Sequence, residues 1–202
     1  MKKAILFILS VFIIQTQLFA QSCLPDGIIF NTQATIDSFQ INHPNCTEIE
    51  GSVSISGEDI TNLDGLSSLT AIGGGLAILQ NPVLNSLSGL DNLNSINDYL
   101  VFLMNDSLAS LTALGNLAFL GGYLDITFNQ SLTDLSGLDN LDSIGGHLYI
   151  HSNDGLQSLT GLNEIIHIEG DVQIWGNTAL TEFTGLDNLT SIGGNLEIES
   201  NS

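Results

Sequence analysis

One apolar motif returns every 24 residues through most of the chain. A leucine or valine is followed two positions later by a second apolar residue and, three positions after that, by an asparagine. The motif opens, in order, at Leu76, Leu100, Leu124, Leu148, Val172 and Leu196. An earlier copy opens at Val53 and Ile55 but lacks the asparagine. Self-similarity at a fixed period of this length indicates structural units that stack and bury a continuous core.

The other apolar residues of each copy are spaced by three, which argues against a helix. One such run is Leu132, Leu135, Leu138, Leu141 and Ile144. Helices place apolar residues at i, i+3 and i+4, and steps of three drift by about 60° at 3.6 residues per turn. Turns, 3₁₀ segments and extended coil suit the spacing better. A glycine column indicates a bend that needs positive φ or a close backbone approach: Gly65, Gly89, Gly137, Gly161 and Gly185.

The motif itself alternates with period two, as a short strand does. Each copy is therefore predicted to form one coil, made of a strand, an asparagine corner and an apolar arc. The fold class that follows is all-β-rich: a right-handed leucine-rich β-solenoid with 24-residue coils and one short parallel strand per coil. Equivalent leucines, among them Leu76, Leu100, Leu124 and Leu148, should lie one above another on adjacent strands.

Asparagine occupies the corner of six successive coils, at Asn81, Asn105, Asn129, Asn153, Asn177 and Asn201. A corner leaves backbone N–H and C=O groups without strand partners. A buried amide supplies two donors and an acceptor that can bond neighbouring coils. We expect a structural ladder, and direct contact with a ligand is the alternative.

Residues 1–20 have the pattern of a removable secretory signal. Lys2 and Lys3 precede an apolar run over residues 4–14, which is too short for an ordinary spanning helix. A lipoprotein anchored through Cys23 is an alternative. Export places the two cysteines, Cys23 and Cys46, in an oxidising compartment, where a disulfide is expected.

The rest of the chain is predicted to divide into two parts. Residues 21–50 should form an N-terminal cap, with a short helix near Gln33–Gln40 capped by Thr32. Residues 51–202 should form the solenoid. Because no polar closing element follows the last corner, and terminal repeats normally need one, we expect further sequence after Ser202.

Charge excludes several classes of partner. Lys2 and Lys3 are the only basic residues, against 22 Asp and Glu. Nothing in the exported chain can neutralise phosphates, so nucleic acid and anionic lipid heads are excluded, and no membrane insertion of the mature chain is expected.

Several segments resemble a known group of proteins. They are Thr32-Gln33, the run from Pro44 to Gly51, and copies of Leu-Thr-Ser-Ile-Gly-Gly-Asn-Leu-Glu-Ile such as the one that starts at Leu189. Over about residues 23–202 the chain resembles secreted bacterial leucine-rich surface proteins related to the receptor L domain, the ligand-binding lobe of insulin- and EGF-type receptors. The resemblance implies a secreted or cell-surface binding or adhesion module. Members often carry a C-terminal sorting domain, which is absent from this sequence.

If the motif residues point inward, the residues that flank them form an outer face that carries every tyrosine and the only tryptophan. Large aromatics suit recognition of a protein or glycan, although they also simply suit strands. The predicted binding residues are Tyr99, Tyr123, Tyr149, His151 and Trp175. A structural spacer or targeting module of a larger secreted protein is the other interpretation. The irregular face argues against ice binding.

No cofactor, metal or catalytic machinery is predicted. His147 and His151 are about 13 Å apart along a strand and would share a metal only if Asp125 or Asp171 bridged them. A polysaccharide lyase, the natural enzymatic rival among stacked-coil folds, generally needs a basic residue, and the exported chain has none. No phosphate loop or metalloprotease motif occurs.

Overall fold

The structure, a computed structural model, describes residues 21–202. The predicted secretory signal lies outside the described residues. The sixteen strands in chain order are β1 (Gln21–Cys23), β2 (Ile28–Phe30), β3 (Cys46–Ile49), β4 (Val53–Ile55), β5 (Ala71–Ile72), β6 (Leu76–Leu79), β7 (Ser95–Ile96), β8 (Leu100–Leu103), β9 (Phe119–Leu120), β10 (Leu124–Thr127), β11 (Ser143–Ile144), β12 (Leu148–His151), β13 (His167–Ile168), β14 (Val172–Trp175), β15 (Ser191–Ile192) and β16 (Leu196–Glu199).

The main sheet is parallel and contains one strand from every coil. Its eight strands run in the order β16-β14-β12-β10-β8-β6-β4-β2. The registers pair Leu76 with Leu100, Leu100 with Leu124, and Leu124 with Leu148. The predicted stacking of equivalent leucines on adjacent strands is therefore confirmed, and with it the all-β solenoid of 24-residue coils.

Each coil also contains a second strand, where the sequence pattern predicted only one. These strands form a five-stranded sheet, β1-β3-β5-β7-β9, and a three-stranded sheet, β11-β13-β15. Most span two residues, such as Ser143–Ile144, and only the isoleucine is buried. Two residues are too few for alternation to be visible in the sequence, and the pairing arises because equivalent arcs stack in register.

The core is a continuous apolar column inside the coils. The whole arc of one coil has no exposed side-chain surface: Leu132, Leu135, Leu138, Leu141 and Ile144. Burying one such side chain contributes roughly 1.5–3 kcal/mol before the loss of chain entropy. The bend that precedes the middle of the arc needs glycine, because at Gly137 φ is +114° and an added Cβ would lie 2.1 Å from the carbonyl oxygen of Leu111.

The N-terminal segment is itself part of the stack, since β1 pairs with β3 and β2 pairs with β4. Between β2 and β3 in the chain, the predicted single helix is divided at Ser38 into α1 (Gln33–Asp37) and α2 (Phe39–Asn42). Thr32 caps α1 through a bond from the backbone N–H of Thr35, as the sequence predicted. The predicted disulfide is confirmed and joins Cys23 of β1 to Cys46 of β3.

The last coil is less buried than the coils before it. Leu196 is 55% exposed and Ile198 43% exposed, whereas the equivalent Val172 and Ile174 are fully buried. Phe183, which belongs to the arc pattern, is 38% exposed. Within residues 21–202, β16 is the edge strand of the main sheet and pairs only with β14, which accounts for the exposure of Leu196 and Ile198.

Candidate binding surface

The outer face of the main sheet brings the five predicted binding residues together. Burial alternates along β12, where Leu148 and Ile150 are fully buried while Tyr149 and His151 are half-buried. Tyr99 and Tyr123 immediately precede β8 and β10, and Trp175 ends β14. Inward leucines and isoleucines therefore hold the aromatic side chains on the outside of four consecutive coils.

These rings form a continuous series, here called the aromatic row: Tyr99, Tyr123, His147, Tyr149, His151 and Trp175. Ring centroids are 5.4 Å apart for Tyr99 and Tyr123, and 6.4 Å apart for Tyr123 and Tyr149. The row continues from Tyr149 to His151 at 5.6 Å, and from His151 to Trp175 at 4.2 Å. Aromatic contacts of this kind, three of them between neighbouring coils and one within β12, contribute about 0.5–1.5 kcal/mol each beyond their area burial, so the rings are held in place before any ligand arrives.

His147 is a member of the row that was not among the predicted binding residues. Its ring stacks on Tyr149 with centroids 5.3 Å apart and planes inclined by 10°. Its Nδ1 accepts a hydrogen bond of 2.9 Å from the backbone N–H of Asp171, and a carboxylate oxygen of Asp171 lies 3.3 Å away. The position of His147 one coil after Tyr123, in the same column, was the sequence signal for its membership.

The ring faces are largely turned toward one another. Three of the contacts are stacked, with interplanar angles of 26°, 10° and 24°. At one end of the row Tyr99 lies over Gly75, where an added Cβ would be 2.5 Å from the ring. Ring edges, the tyrosine hydroxyl groups and neighbouring carboxylates are thus the groups left for a ligand.

Carboxylates flank the aromatic row. Burial raises the pKa of Tyr123, and the nearby Tyr99, Asp125 and Asp98 raise it further. Burial also raises the pKa of Tyr149, with added contributions from Asp171 and Asp125. Both tyrosines are therefore neutral donors at physiological pH, within the field of several negative charges.

His151 is held in its neutral form by its surroundings. Desolvation lowers its pKa, against the opposing effects of the Asp125 carboxylate and a backbone bond with Gln173. Its Nε2 atom is buried and has no hydrogen-bond partner among residues 21–202. Within the same residues, no group of three His, Cys, Asp or Glu side chains is arranged to hold a metal ion. The alternative of a metal shared by His147 and His151 has no third ligand in this part of the chain.

The corner asparagines lie inside the solenoid, away from the outer face. Asn81, Asn105, Asn129, Asn153 and Asn177 are fully buried. The Nδ2 of each donates to Oδ1 of the asparagine one coil further on, at 3.0–3.3 Å. Each Oδ1 after the first also accepts from the backbone N–H of the preceding corner asparagine. In the coil that lacks the asparagine, the N–H of Gly57 donates to Asn81. A ligand outside the solenoid has no access to these buried amides.

A second exposed feature follows two strands of the main sheet and was not expected from the sequence. Met104 and Phe128 follow β8 and β10 with φ of +58° and +56°, and they are 42% and 41% exposed. Bulky residues seldom adopt this left-handed conformation, which costs roughly 1–2 kcal/mol. In the coil after next from Phe128, Gly176 occupies the same corner position. Because most coils have a residue other than glycine at this corner position, the positive φ was not apparent from the sequence.

Comparison with known proteins gives one match. Residues 45–106 match the Receptor L domain family, which covers under half of the 202-residue chain. No curated protein and no solved structure matches the chain. Receptor L domains are ligand-binding modules, and the solenoid with its exposed aromatic row is compatible with binding. Neither helix in the described part of the chain is long and apolar enough to cross a membrane.

Proposed function

We propose that this protein is an extracellular or cell-surface binding module that recognises a protein or glycan through the aromatic row. One observation carries the proposal: six rings from four consecutive coils lie side by side on the outer face of the main sheet. The match to a family of ligand-binding modules supports the same function. The disulfide between Cys23 and Cys46 supports an oxidising location.

The energetics of the row favour recognition. A binding surface gains most from large side chains that lose little rotamer entropy on association. Tyr149 contacts the rings of His147 and His151, two residues before and after it, and Trp175 is 41% exposed while stacked on His151. Rings already restrained by their neighbours pay less of the ordering cost when a partner arrives.

The test is a binding screen with paired variants. The purified protein is screened against protein and glycan arrays, and each ligand found is titrated against the double variant Tyr149→Ala/Trp175→Ala. Loss of about 2 kcal/mol or more of binding free energy is expected, as for interface hot spots. The control is Phe119→Ala/Ile166→Ala, which removes two exposed apolar side chains outside the main sheet. Equal binding by parent and Tyr149→Ala/Trp175→Ala, for every ligand found, would refute the proposal.

A structural spacer or targeting module is the second candidate. The continuous asparagine ladder and the in-register sheet favour a stiff rod that advances by about 4.8 Å per coil. A spacer depends on length, and its outer side chains are interchangeable. Retention of the parent's cellular function by Tyr149→Ala/Trp175→Ala, together with its loss when one 24-residue coil is deleted, would favour this function.

A further inference from the structure

We propose that the aromatic row binds a lysine- or arginine-rich segment of a partner protein. This inference deepens the proposed function and rests on it, because it names the chemistry of the partner that the same surface selects. Three properties of the described residues support it: carboxylates without basic partners, ring faces already occupied by one another, and acceptor groups exposed beside apolar ring edges.

The carboxylates beside the row lack basic neighbours. No lysine or arginine occurs in residues 21–202, and the histidine–carboxylate contacts found there, His147 with Asp171 and His167 with Glu169, carry opposite charges only when the imidazole is protonated. Asp98 and Asp125 have no cationic partner in this part of the chain. Asp125 accepts a hydrogen bond from the hydroxyl of Thr127, which adds no charge. A basic ligand would therefore supply the missing counter-charge along the row.

Ring geometry weakens the case for a glycan. Sugar rings are held by aromatic faces that are open to solvent, and here the faces of Tyr99, Tyr123 and His151 are turned toward neighbouring rings or Gly75. Trp175, which is 41% exposed and, among the described residues, contacts the ring of His151 only, is the exception. Lysine and arginine need less of a ring face. Their apolar stems lie along ring edges while their charged ends reach carboxylate oxygens, and arginine can bond a carboxylate with two parallel N–H groups.

The position of the charges also favours a basic segment over an acidic or neutral one. Asp98 and Asp125 act on Tyr123, and Asp125 and Asp171 act on Tyr149, so negative charge surrounds the middle of the row. An acidic ligand would meet several like charges at short range, and a neutral peptide would leave the carboxylates without a counter-charge. The site therefore discriminates by charge, with the rings supplying apolar contact area.

The experiment compares charged and neutral peptides on the intact protein. Two synthetic ten-residue peptides are used, one alternating arginine with serine and one with citrulline in place of each arginine, which keeps the shape and removes the charge. Affinity is measured by calorimetry at 0.15 M salt, where exposed charges beyond about 8 Å are largely screened. The arginine peptide is expected to bind at least about tenfold more tightly than the citrulline peptide.

Two charge-matched variants then separate a local site from general attraction by an acidic protein. Asp98→Asn/Asp125→Asn removes two charges beside the row, and Glu164→Gln/Glu182→Gln removes two exposed charges from the arcs. The first is expected to weaken binding of the arginine peptide about tenfold and the second less than about twofold. Equal effects of the two variants, equal binding of both peptides, or no binding of the arginine peptide would overturn the inference. Thermal unfolding of each variant checks that the fold is intact.

The outcomes distinguish this inference from the proposed function. If Tyr149→Ala/Trp175→Ala abolishes binding of a neutral glycan while the arginine peptide does not bind, the inference fails and the proposed function stands. If that double variant changes the binding of no ligand, both fail.

Discussion

The imidazole of His151 stacks on the indole of Trp175, with ring centroids 4.2 Å apart and planes inclined by 24°. The two residues are paired in register on β12 and β14. Nε2 of His151 is buried and lacks a hydrogen-bond partner among the described residues. A proton added to this ring would place an unsatisfied donor and a positive charge in a poorly solvated position.

This arrangement predicts a pH-dependent contribution to stability. Burial lowers the pKa of His151 in the folded state, so the unfolded chain binds this proton more readily. The contribution of neutral His151 to the free energy of unfolding is fully present above the ordinary histidine pKa of about 6.5. It is lost as the pH falls below that pKa toward the lowered pKa of His151 in the folded protein.

The measurement is urea denaturation of the parent and of His151→Phe between pH 8 and pH 5. Phenylalanine keeps the stack on Trp175 without the titration. Carboxylates titrate similarly in both proteins, so the difference between the two curves isolates His151. The parent should lose stability relative to His151→Phe as the pH falls, and parallel curves would contradict the prediction.

A substitution at Gly75 should displace the Tyr99 ring, at one end of the aromatic row, without changing any aromatic residue. An added methyl group would lie 2.5 Å from the Tyr99 ring, which can rotate away because it is a side chain. Gly75→Ala should therefore break the stack of Tyr99 on Tyr123 at a cost of about 1 kcal/mol, the value of one aromatic pair. The tyrosine ring resonances in NMR spectra report the displacement.

Gly115→Ala is the matched control for Gly75→Ala. Its added methyl group would have a single neighbour, the carbonyl oxygen of Thr112 at 3.3 Å, and its φ of −59° suits alanine. A change within about 0.5 kcal/mol and unshifted tyrosine resonances are expected. If Gly75→Ala behaves like this control, the Tyr99 ring does not lie over Gly75.

The asparagine ladder should be most sensitive in its middle. Asn129→Ala would remove the Asn129 partner of three buried groups. The backbone N–H of Asn105 and one N–H of its Nδ2 amide would lose their acceptor, although Nδ2 keeps its other bond to the carbonyl of Ile78, and the carbonyl of Phe102 would lose a donor. Each unsatisfied buried group costs about 1–3 kcal/mol, so we expect a loss of about 3 kcal/mol or more in the free energy of unfolding.

Asn201→Ala tests the same bonds at the partly exposed end of the ladder. It also removes an acceptor from the N–H and Nδ2 of Asn177, but water can approach the last coil. A loss of about 1 kcal/mol is expected by urea denaturation. Equal losses for Asn129→Ala and Asn201→Ala would mean that burial of the amides does not determine their contribution.

The sequence predicted the stack better than the surface, for a physical reason. A 24-residue period permits one register, so Leu76 had to pair with Leu100 once the coils stacked. The outward position of Tyr149 followed from the same alternation. Tyr149 is paired in register with Asp125, and Tyr123 lies two residues before Asp125. Whether the rings of Tyr149 and Tyr123 meet depends on side-chain rotamers, which a repeat period does not predict. His147 was accordingly missing from the predicted binding residues although its backbone position was foreseen.

Backbone conformation at the corners was equally invisible, and Phe128 offers a direct test. Alanine normally stabilises a regular backbone over glycine by about 0.5–1 kcal/mol. At Phe128, φ is +56°, where every residue with a Cβ is strained and glycine is not. The usual order should therefore reverse, so that Phe128→Gly is more stable than Phe128→Ala by about 1 kcal/mol in urea denaturation. Both variants remove the same exposed ring, so the difference in stability between them reports the backbone strain alone.

Gly176, at the same corner two coils later, shows that the position accepts glycine. Greater stability of Phe128→Ala would mean that the corner relaxes to negative φ, and that Phe128 is not held in the left-handed conformation by the stacking of the coils.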